Sequence, residues 1–429
     1  MSWKTSLFFS TLLLLVAVPV TVGPAQEYLP DLDFQHPAIQ YYDSALYDAV
    51  TQLAEELESG DIELAASEDD TGYLVSILEE LDINIDSQAL VFSKTSFQAP
   101  KIAPDNPRAI FFNDDVAVAY VRGSEEIEIA SIDPSLGPIF YTANINKVDK
   151  EGFERHEICL TCHLGPATSG VPGLFVGSVF PGPTGSPSPV DAIITDHRTA
   201  FADRWGGWYV NASSGQQKDR SNAIAPNPAQ PLVLDEFVER NLTHLFGKVN
   251  TNGYLSPVSD IVGLMTFEHQ TQMVNYITRV GWEERIAEYE GERDQMQQLQ
   301  IDTDIDALVS YMLFAGEVPL KEPVVGVSSF TETFPKRGIR DSRGRSLRDF
   351  DLETRLFRYP LSYMIYSESF NALPERVKGE IYLRLFDVLS GGDRSERFLH
   401  LSASDRRSIL EILRETKAGL PDYFRVRAN

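Results

Sequence analysis

The chemistry of this sequence is concentrated in one segment, Cys159-Leu-Thr-Cys162-His163, which contains both cysteines of the chain. Two thiols three residues apart lie on nearly the same side of a helical turn, and the imidazole follows one position later. At this spacing each thiol reaches one vinyl group of a haem, and the histidine comes beneath the iron as its proximal ligand. The segment therefore predicts one covalently attached haem c, bound through Cys159, Cys162 and His163.

Two other uses of these cysteines remain open. A C-x-x-C pair can be a redox-active dithiol, although the βαβ pattern that surrounds thioredoxin-like pairs is missing. A zinc site could combine His156 with Cys159 and Cys162, but the sequence lacks a second C-x-x-C or H-x-x-x-H half. Haem attachment uses all three residues of the motif, and it is the interpretation that we develop.

An electron-carrying haem usually has both axial positions filled, by His/His or His/Met. His269 is the first candidate for the sixth ligand, because it lies in a predicted helix with Met265 and Met273 one turn to either side. These two methionines and His197 are the alternatives. A lone histidine on an apolar helix face is also a common core residue, so a packing role for His269 stays open.

The motif resembles that of c-type cytochromes, and this resemblance covers residues 159–163. The wider run from Phe92-Ser-Lys-Thr-Ser-Phe97 to Trp205-Gly-Gly-Trp208 is similar to large exported single-haem bacterial proteins of unassigned function. The resemblance implies haem binding, ligation by His163 and a periplasmic electron carrier with a redox partner protein. A small cytochrome c domain needs only about 100 residues. The greater length here leaves a peroxidase-like haem enzyme with an open sixth site, or a haem-based sensor, as alternatives.

The first 25 residues predict an export signal. Lys4 precedes an uncharged apolar run over 7–22, and Gly23-Pro24-Ala25 supplies the small residues that a signal peptidase reads. Cleavage after Ala25 removes 25 of the 429 residues and leaves a mature chain that begins at Gln26. An uncleaved anchor is the alternative. No later stretch has the roughly 20 apolar residues of a membrane helix, so we expect a periplasmic or secreted protein without a membrane span.

Charge is distributed unevenly along the chain. The net charge of −26 argues against nucleic acid as a partner. Residues 26–93 contain 17 Asp and Glu and no Lys or Arg, whereas 336–429 contain 14 Asp and Glu and 19 Lys and Arg. We interpret the acidic segment as a solvated face that keeps an exported protein in solution. Docking of this segment on the basic C-terminal region, or attraction of a basic redox partner, are the alternatives.

Periodicity places secondary structure on both sides of the motif. Two acidic helices are predicted at 38–58 and 73–82. Short antiparallel strands are predicted within 89–93, 109–112, 116–120, 127–130 and 139–141. The most regular helix is predicted at 257–280, with Ser256 as its N-cap and Gly281 as its stop. Further helices are predicted at 303–315, 349–369, 375–389 and 403–417.

These elements predict an α+β fold in which acidic helices and a short antiparallel β region precede a mostly helical C-terminal half around the haem. The chain divides into four predicted regions: a signal peptide (1–25), an acidic α+β region (26–145), a haem-binding cytochrome c-like region (146–335) and a basic helical region (336–429).

Overall fold

The computed structural model describes residues 29–147, 152–226, 241–291 and 293–425, with only the backbone for 189–191. The predicted signal peptide and its cleavage site lie outside these residues. Within them, antiparallel sheets are combined with nine α-helices that are concentrated in the C-terminal half. The predicted α+β class is confirmed.

Two helices precede the sheet, α1 (Ala49–Ser59) and α2 (Leu74–Glu80). The second matches its prediction, but the first begins eleven residues later than the predicted 38. Asp48 explains this start. Its carboxylate accepts hydrogen bonds from two backbone N–H groups of the first turn and from the Tyr141 hydroxyl. An N-cap that is anchored to the sheet in this way fixes where the helix begins.

A seven-stranded antiparallel sheet contains all five of the predicted strands. The first six strands in chain order are β1 (Ala89–Val91), β2 (Arg108–Phe112), β3 (Val116–Val121), β4 (Glu126–Asp133), β5 (Gly137–Asn144) and β6 (Phe153–Arg155). The motif follows as a single helical turn, α3 (Leu160–His163).

A separate hairpin of β7 (Val176–Pro181) and β8 (Pro187–Thr195) was not predicted from the sequence. Its prolines and glycines hide the two-residue alternation by which strands are recognised. The short strand β9 (Trp208–Tyr209) then pairs with β1, which gives the sheet order β6-β5-β4-β3-β2-β1-β9. The Trp208 indole N–H donates to the Gly177 carbonyl at 2.8 Å and joins the hairpin to the sheet.

The longest helix is α4 (Ile261–Glu290), and both of its predicted ends are wrong. The helix begins later because Asp260, not Ser256, is the N-cap. The Asp260 carboxylate accepts from the first turn and also from the backbone N–H groups of 327 and 328. The predicted stop, Gly281, lies inside the helix, where a Cβ would come 3.2 Å from the Leu373 side chain. Gly291, at φ +79°, ends the helix instead.

The remaining helices are α5 (Gln295–Met312), α6 (Phe330–Lys336), α7 (Glu368–Asn371), α8 (Glu375–Ser390) and α9 (Ala403–Thr416). The predictions at 375–389 and 403–417 are confirmed, and 303–315 overlaps the C-terminal part of α5. The described residues form no helix that is both long and apolar enough to cross a membrane.

The helix predicted at 349–369 is wrong. This segment contains a β-bridge between Phe350 and Phe357 and then a 3-10 turn, and it becomes α-helical only at α7. The Asp351 carboxylate accepts hydrogen bonds from the backbone N–H groups of 353, 354 and 355. A side chain that captures successive backbone donors stabilises a turn in place of a helix.

The two faces of the sheet pack against different parts of the chain. The N-terminal face, which includes Ala109, Phe111 and Val118, shares a hydrophobic cluster with residues of α1 and α2. The opposite side, which we call the α4 face, includes Ile110 and Phe112. Phe112 contacts Phe267 of α4 with 4.7 Å between ring centroids. The motif lies beside this α4 face, as the contacts of its histidine show.

Candidate functional site

The motif forms a 3-10 turn, Glu157–Cys159, that leads directly into the single turn of α3. Leu160 is buried and anchors the turn in the core. Both cysteines are unpaired thiols, of which Cys159 is half-buried and Cys162 is exposed. The backbone of the motif is thus helical from Cys159 to His163.

The His163 imidazole has a defined orientation. Its Nδ1 lies 2.9 Å from the Gly173 carbonyl oxygen. Because a carbonyl can only accept a hydrogen bond, Nδ1 carries the proton and Nε2 keeps its lone pair. The ring lies between Phe140 and Phe175, with centroid distances of 4.8 and 5.6 Å. Burial lowers the pKa of His163, so the ring stays in the neutral form that binds metals.

The loop that follows the motif is held by polar side chains of α4. The Asn275 amide accepts from the Leu174 backbone N–H at 3.1 Å and donates to the Leu174 carbonyl at 2.8 Å. Gln272 donates to the Ser169 hydroxyl at 3.0 Å. These contacts fix the backbone that supplies the acceptor for His163, so α4 positions the imidazole indirectly.

We expect Gly173→Ala to disrupt this support. A Cβ at Gly173 would overlap the Asn275 amide oxygen and come 2.7 Å from the Thr168 Cβ. Overpacking of this kind costs about 1–3 kcal/mol. Gly177→Ala is the matched control, because its Cβ would meet nothing closer than 3.9 Å, and its effect should stay below about 1 kcal/mol. Urea unfolding of both variants measures the difference, and equal losses of stability would contradict the tight contact at Gly173.

The electrostatics of the motif bear on the two alternative uses of the cysteines. Burial, with a smaller contribution from the Glu128 carboxylate, raises the pKa of the Cys159 thiol to about 11. Redox-active C-x-x-C pairs instead have a lowered thiol pKa, so this environment disfavours a dithiol function. The described residues contain no cluster of three or more His, Cys, Asp or Glu side chains that could hold a metal ion. His156, the extra ligand that a zinc site would need, has its Nε2 2.8 Å from the Thr142 hydroxyl.

The α4 face beside His163 is buried but keeps a small residual exposure. Ile110, Ala119, Ala130 and Phe140 keep 6–8% of their surface exposed. The alanine, isoleucine and phenylalanine side chains of the N-terminal face, such as Ala109, are at 0–2%. The α4 face is therefore incompletely filled next to the ring of Phe140, against which His163 packs.

The first candidate for the sixth ligand, His269, is fully buried in a different cluster. Its Nε2 lies 2.8 Å from the Ser362 hydroxyl, and its Nδ1 lies 3.0 Å from Nδ1 of His197. The His269 ring stacks on Phe314 and Tyr311, with 4.3 and 5.2 Å between centroids. Both ring nitrogens of His269 are therefore engaged by protein groups, which is the environment of a core histidine.

The other candidates lie in or near the same core. Met265 and Met273 are buried on α4. His197 is nearly fully buried, and among the described residues its Nε2 has no hydrogen-bond partner. His269 precedes Asn275, which holds the motif loop, by six residues, or about 9 Å along the helix and about 120° around it. None of the described contacts joins His163 to these four residues, so a sixth ligand among them stays a prediction.

We expect the buried histidine pair to make the protein sensitive to acid. Burial lowers the pKa of His269 from 6.5 to about 3 and lowers that of His197, with a further contribution from the charge of His269. The unfolded chain binds more protons than the folded one below pH 6.5, so His269 alone should cost about 2 kcal/mol between about pH 6.5 and 5. This contribution is absent above pH 6.5 and grows as the pH falls.

Buried carboxyls also titrate, because burial raises the pKa of Glu317 to about 7 and that of Asp115 to about 6. The test therefore compares His269→Asn with the unmodified protein. The difference between their unfolding free energies in urea should shrink as the pH falls from about 7 to about 5. A difference that is independent of pH would show that His269 does not stay neutral.

Among the described residues, one ion pair joins the acidic N-terminal part to the basic run over 336–348. Arg337 lies 2.7 Å from the Asp82 carboxylate. Arg340 and Arg343 instead pair with Asp349 and Glu411, which belong to the same C-terminal region. Within the described residues, ionic docking of the acidic segment on the basic run is thus limited to the contact between Asp82 and Arg337.

Sequence reasoning missed the residues that orient His163. Phe140 was predicted only as part of a strand, and Asn275 was not singled out. The strand periodicity shows on which side of a sheet Phe140 lies, but it gives no information about which loop packs there. Nothing in the sequence indicates the role of Asn275, because a polar residue in a helix is ordinarily exposed to solvent.

No protein family model matches this chain, and neither a curated protein nor a solved structure is significantly similar to it.

Proposed function

We propose that this protein is an exported monohaem c-type cytochrome that transfers electrons, with haem c attached to Cys159 and Cys162 and with His163 as proximal ligand. The observation that supports it best is the hydrogen bond from His163 Nδ1 to the Gly173 carbonyl. Ligating histidines characteristically donate their other ring N–H to a carbonyl or carboxylate, which fixes the tautomer and the ring orientation. A bound haem supplies a one-electron iron couple whose potential depends on its ligands and surroundings.

The surface around the motif suits exchange of electrons with another protein. Cys162 is exposed, and so is the apolar side chain of Ile158. Glu154 and Glu157 are exposed beside them. An exposed apolar side chain thus lies beside two carboxylates, and the chain carries 26 more negative than positive charges. This combination favours a basic redox partner protein by electrostatic attraction.

The test is to produce the protein in a host with cytochrome c maturation. We expect one haem per chain that withstands acid–acetone extraction, and reversible reduction with a six-coordinate low-spin spectrum in both redox states. Protein without covalent haem would refute the proposal. A high-spin ferric spectrum that changes with peroxide would support the peroxidase-like enzyme instead of the electron carrier.

We propose a periplasmic location on the basis of the N-terminal sequence pattern. Sequencing of the mature protein from its native host should give Gln26 as the first residue. An intact Met1 on membrane-bound protein would instead support the uncleaved anchor.

A further inference from the structure

The strand register places three alanines in a continuous patch on the α4 face. Ala130 of β4 lies between Phe140 of β5 and Ala117 of β3, and Ala119 lies opposite Glu128 in the neighbouring row. Directly opposed residues in antiparallel strands share a face. At about 4.8 Å between strands, the row from Phe140 to Ala117 spans about 10 Å, which is comparable with the width of a porphyrin ring.

This patch is next to the motif. The ring of His163 packs on Phe140, which is one end of the row. Alanine side chains leave room above the strands, and the residual exposure of Ala119 and Ala130 contrasts with the complete burial of Ala109 on the other face. The small side chains therefore border a small solvent-accessible gap beside the ring that packs on the proposed iron ligand.

A guanidinium lies at the border of the same patch. Arg108 of β2 is two residues from Ile110, so both point to the α4 face. Arg108 Nη1 donates to the Glu128 carboxylate at 2.8 Å, and the Ser96 hydroxyl donates to the other oxygen of Glu128 at 3.0 Å. The Arg108 Nε–H is buried and has no acceptor among the described residues. Arg108 is thus held in place by one carboxylate while a donor remains unused.

We propose that the patch formed by Ala117, Ala119 and Ala130 is the surface on which the haem macrocycle lies, and that Arg108 binds a haem propionate. This inference rests on the proposed function. The alanines admit a flat aromatic group that larger side chains would exclude. The guanidinium supplies the charge-assisted donors that a carboxylate needs when it leaves water. Glu128 acts as a positioning residue, because its carboxylate accepts from Arg108 and fixes the orientation of the guanidinium.

The first test fills the space. Ala119→Leu and Ala130→Leu, produced with haem maturation, should each lower the covalent haem content several-fold. Ala403→Leu is the control at an exposed position and should keep one haem per chain. Wild-type protein with haem, together with full haem content and an unchanged spectrum in both patch variants, would overturn the inference while the proposed function stands.

The same variants are also tested without haem, so that the packing around the alanines is measured independently of haem binding. In the apoprotein, Ala130→Leu should lower the urea midpoint much less than Ala109→Leu, because only the second change enters a fully packed layer. Equal losses would show that the space does not exist, and would overturn the inference whatever the haem content. A wild-type protein without covalent haem would overturn both proposals together.

The second test concerns Arg108. Arg108→Gln should lower the reduction potential, because the charge of an ionised propionate is no longer neutralised and stabilises ferric iron. It should also raise the pH at which the potential responds to propionate ionisation, because an unpaired propionate keeps its proton more readily. Glu128→Gln removes a negative charge from the same place and should raise the potential, whereas Arg108→Lys should restore part of the loss. An unchanged pH response in Arg108→Gln would overturn the propionate contact.

Discussion

Replacement of both Cys159 and Cys162 by alanine is expected to remove all haem that withstands acid–acetone extraction. The two thioether bonds are the only covalent links that the motif can make, and the remaining ligand bond from His163 is broken by acid. The effect should be complete, from one haem per chain to none. It is measured by haem staining of denaturing gels and by the pyridine haemochrome spectrum of the extracted protein.

The matched control for this experiment is Thr161→Ala. Thr161 lies between the two cysteines and is exposed, so its loss leaves both thiols and the helical turn unchanged. Single cysteine variants should retain one thioether and a shifted haemochrome band. Full acid-stable haem in the double variant would show that Cys159 and Cys162 are not the attachment site.

Replacement of His269 by alanine is expected to destabilise the protein by about 2–4 kcal/mol and to leave the haem spectrum unchanged. The substitution empties a stacked ring site between Phe314 and Tyr311 and leaves the Ser362 hydroxyl without its imidazole partner. It also removes the partner of His197 Nδ1. Urea unfolding monitored by circular dichroism measures the loss.

The absorption spectrum of the same variant separates this core role from the ligand role that the sequence suggests. If His269 ligates the iron, a low-spin spectrum becomes high-spin and the variant binds added imidazole, while the covalent haem remains. The control is His244→Ala, because His244 is exposed. A spectrum that stays unchanged leaves Met265, Met273 and His197 as the candidates from the sequence, and each can be tested in the same way.

The strands could be predicted because alternation is a local property. β4 alternates between carboxylates and apolar residues over 126–129, and β2, β3 and β5 are short apolar runs divided by short turns. The segment 109–141 therefore shows its structure without reference to the rest of the chain. The hairpin 176–195 could not be predicted in this way, because prolines and glycines interrupt the pattern. The turn at Asp351 could not be predicted either, because it is stabilised by hydrogen bonds from the backbone to a side chain. Average helix propensities of the residues do not include such bonds.

The motif could also be predicted, because the reactive groups lie within five residues. Its surroundings could not, since His163 depends on a carbonyl ten residues later and on a ring from β5. The ligand prediction for His269 used a stripe of apolar residues as evidence of a cofactor face. In the structure α4 is buried on nearly every side, so residues on several faces, polar ones included, are enclosed.

The enclosed polar surface of α4 has a consequence for how the chain folds. Arg279 donates to carbonyls at Pro30 and Ser169 and pairs with Asp304, while Glu284 pairs with Arg376. Glu283 and Arg293 are local partners of these two groups, but other partners lie up to 249 residues away and must be brought together before the helix is enclosed. We therefore expect slow, highly cooperative folding in which amide protons of α4 exchange only on global unfolding. Fragments that end at 335 lose Arg376 and keep Arg293 as the partner of Glu284, and they should not fold on their own.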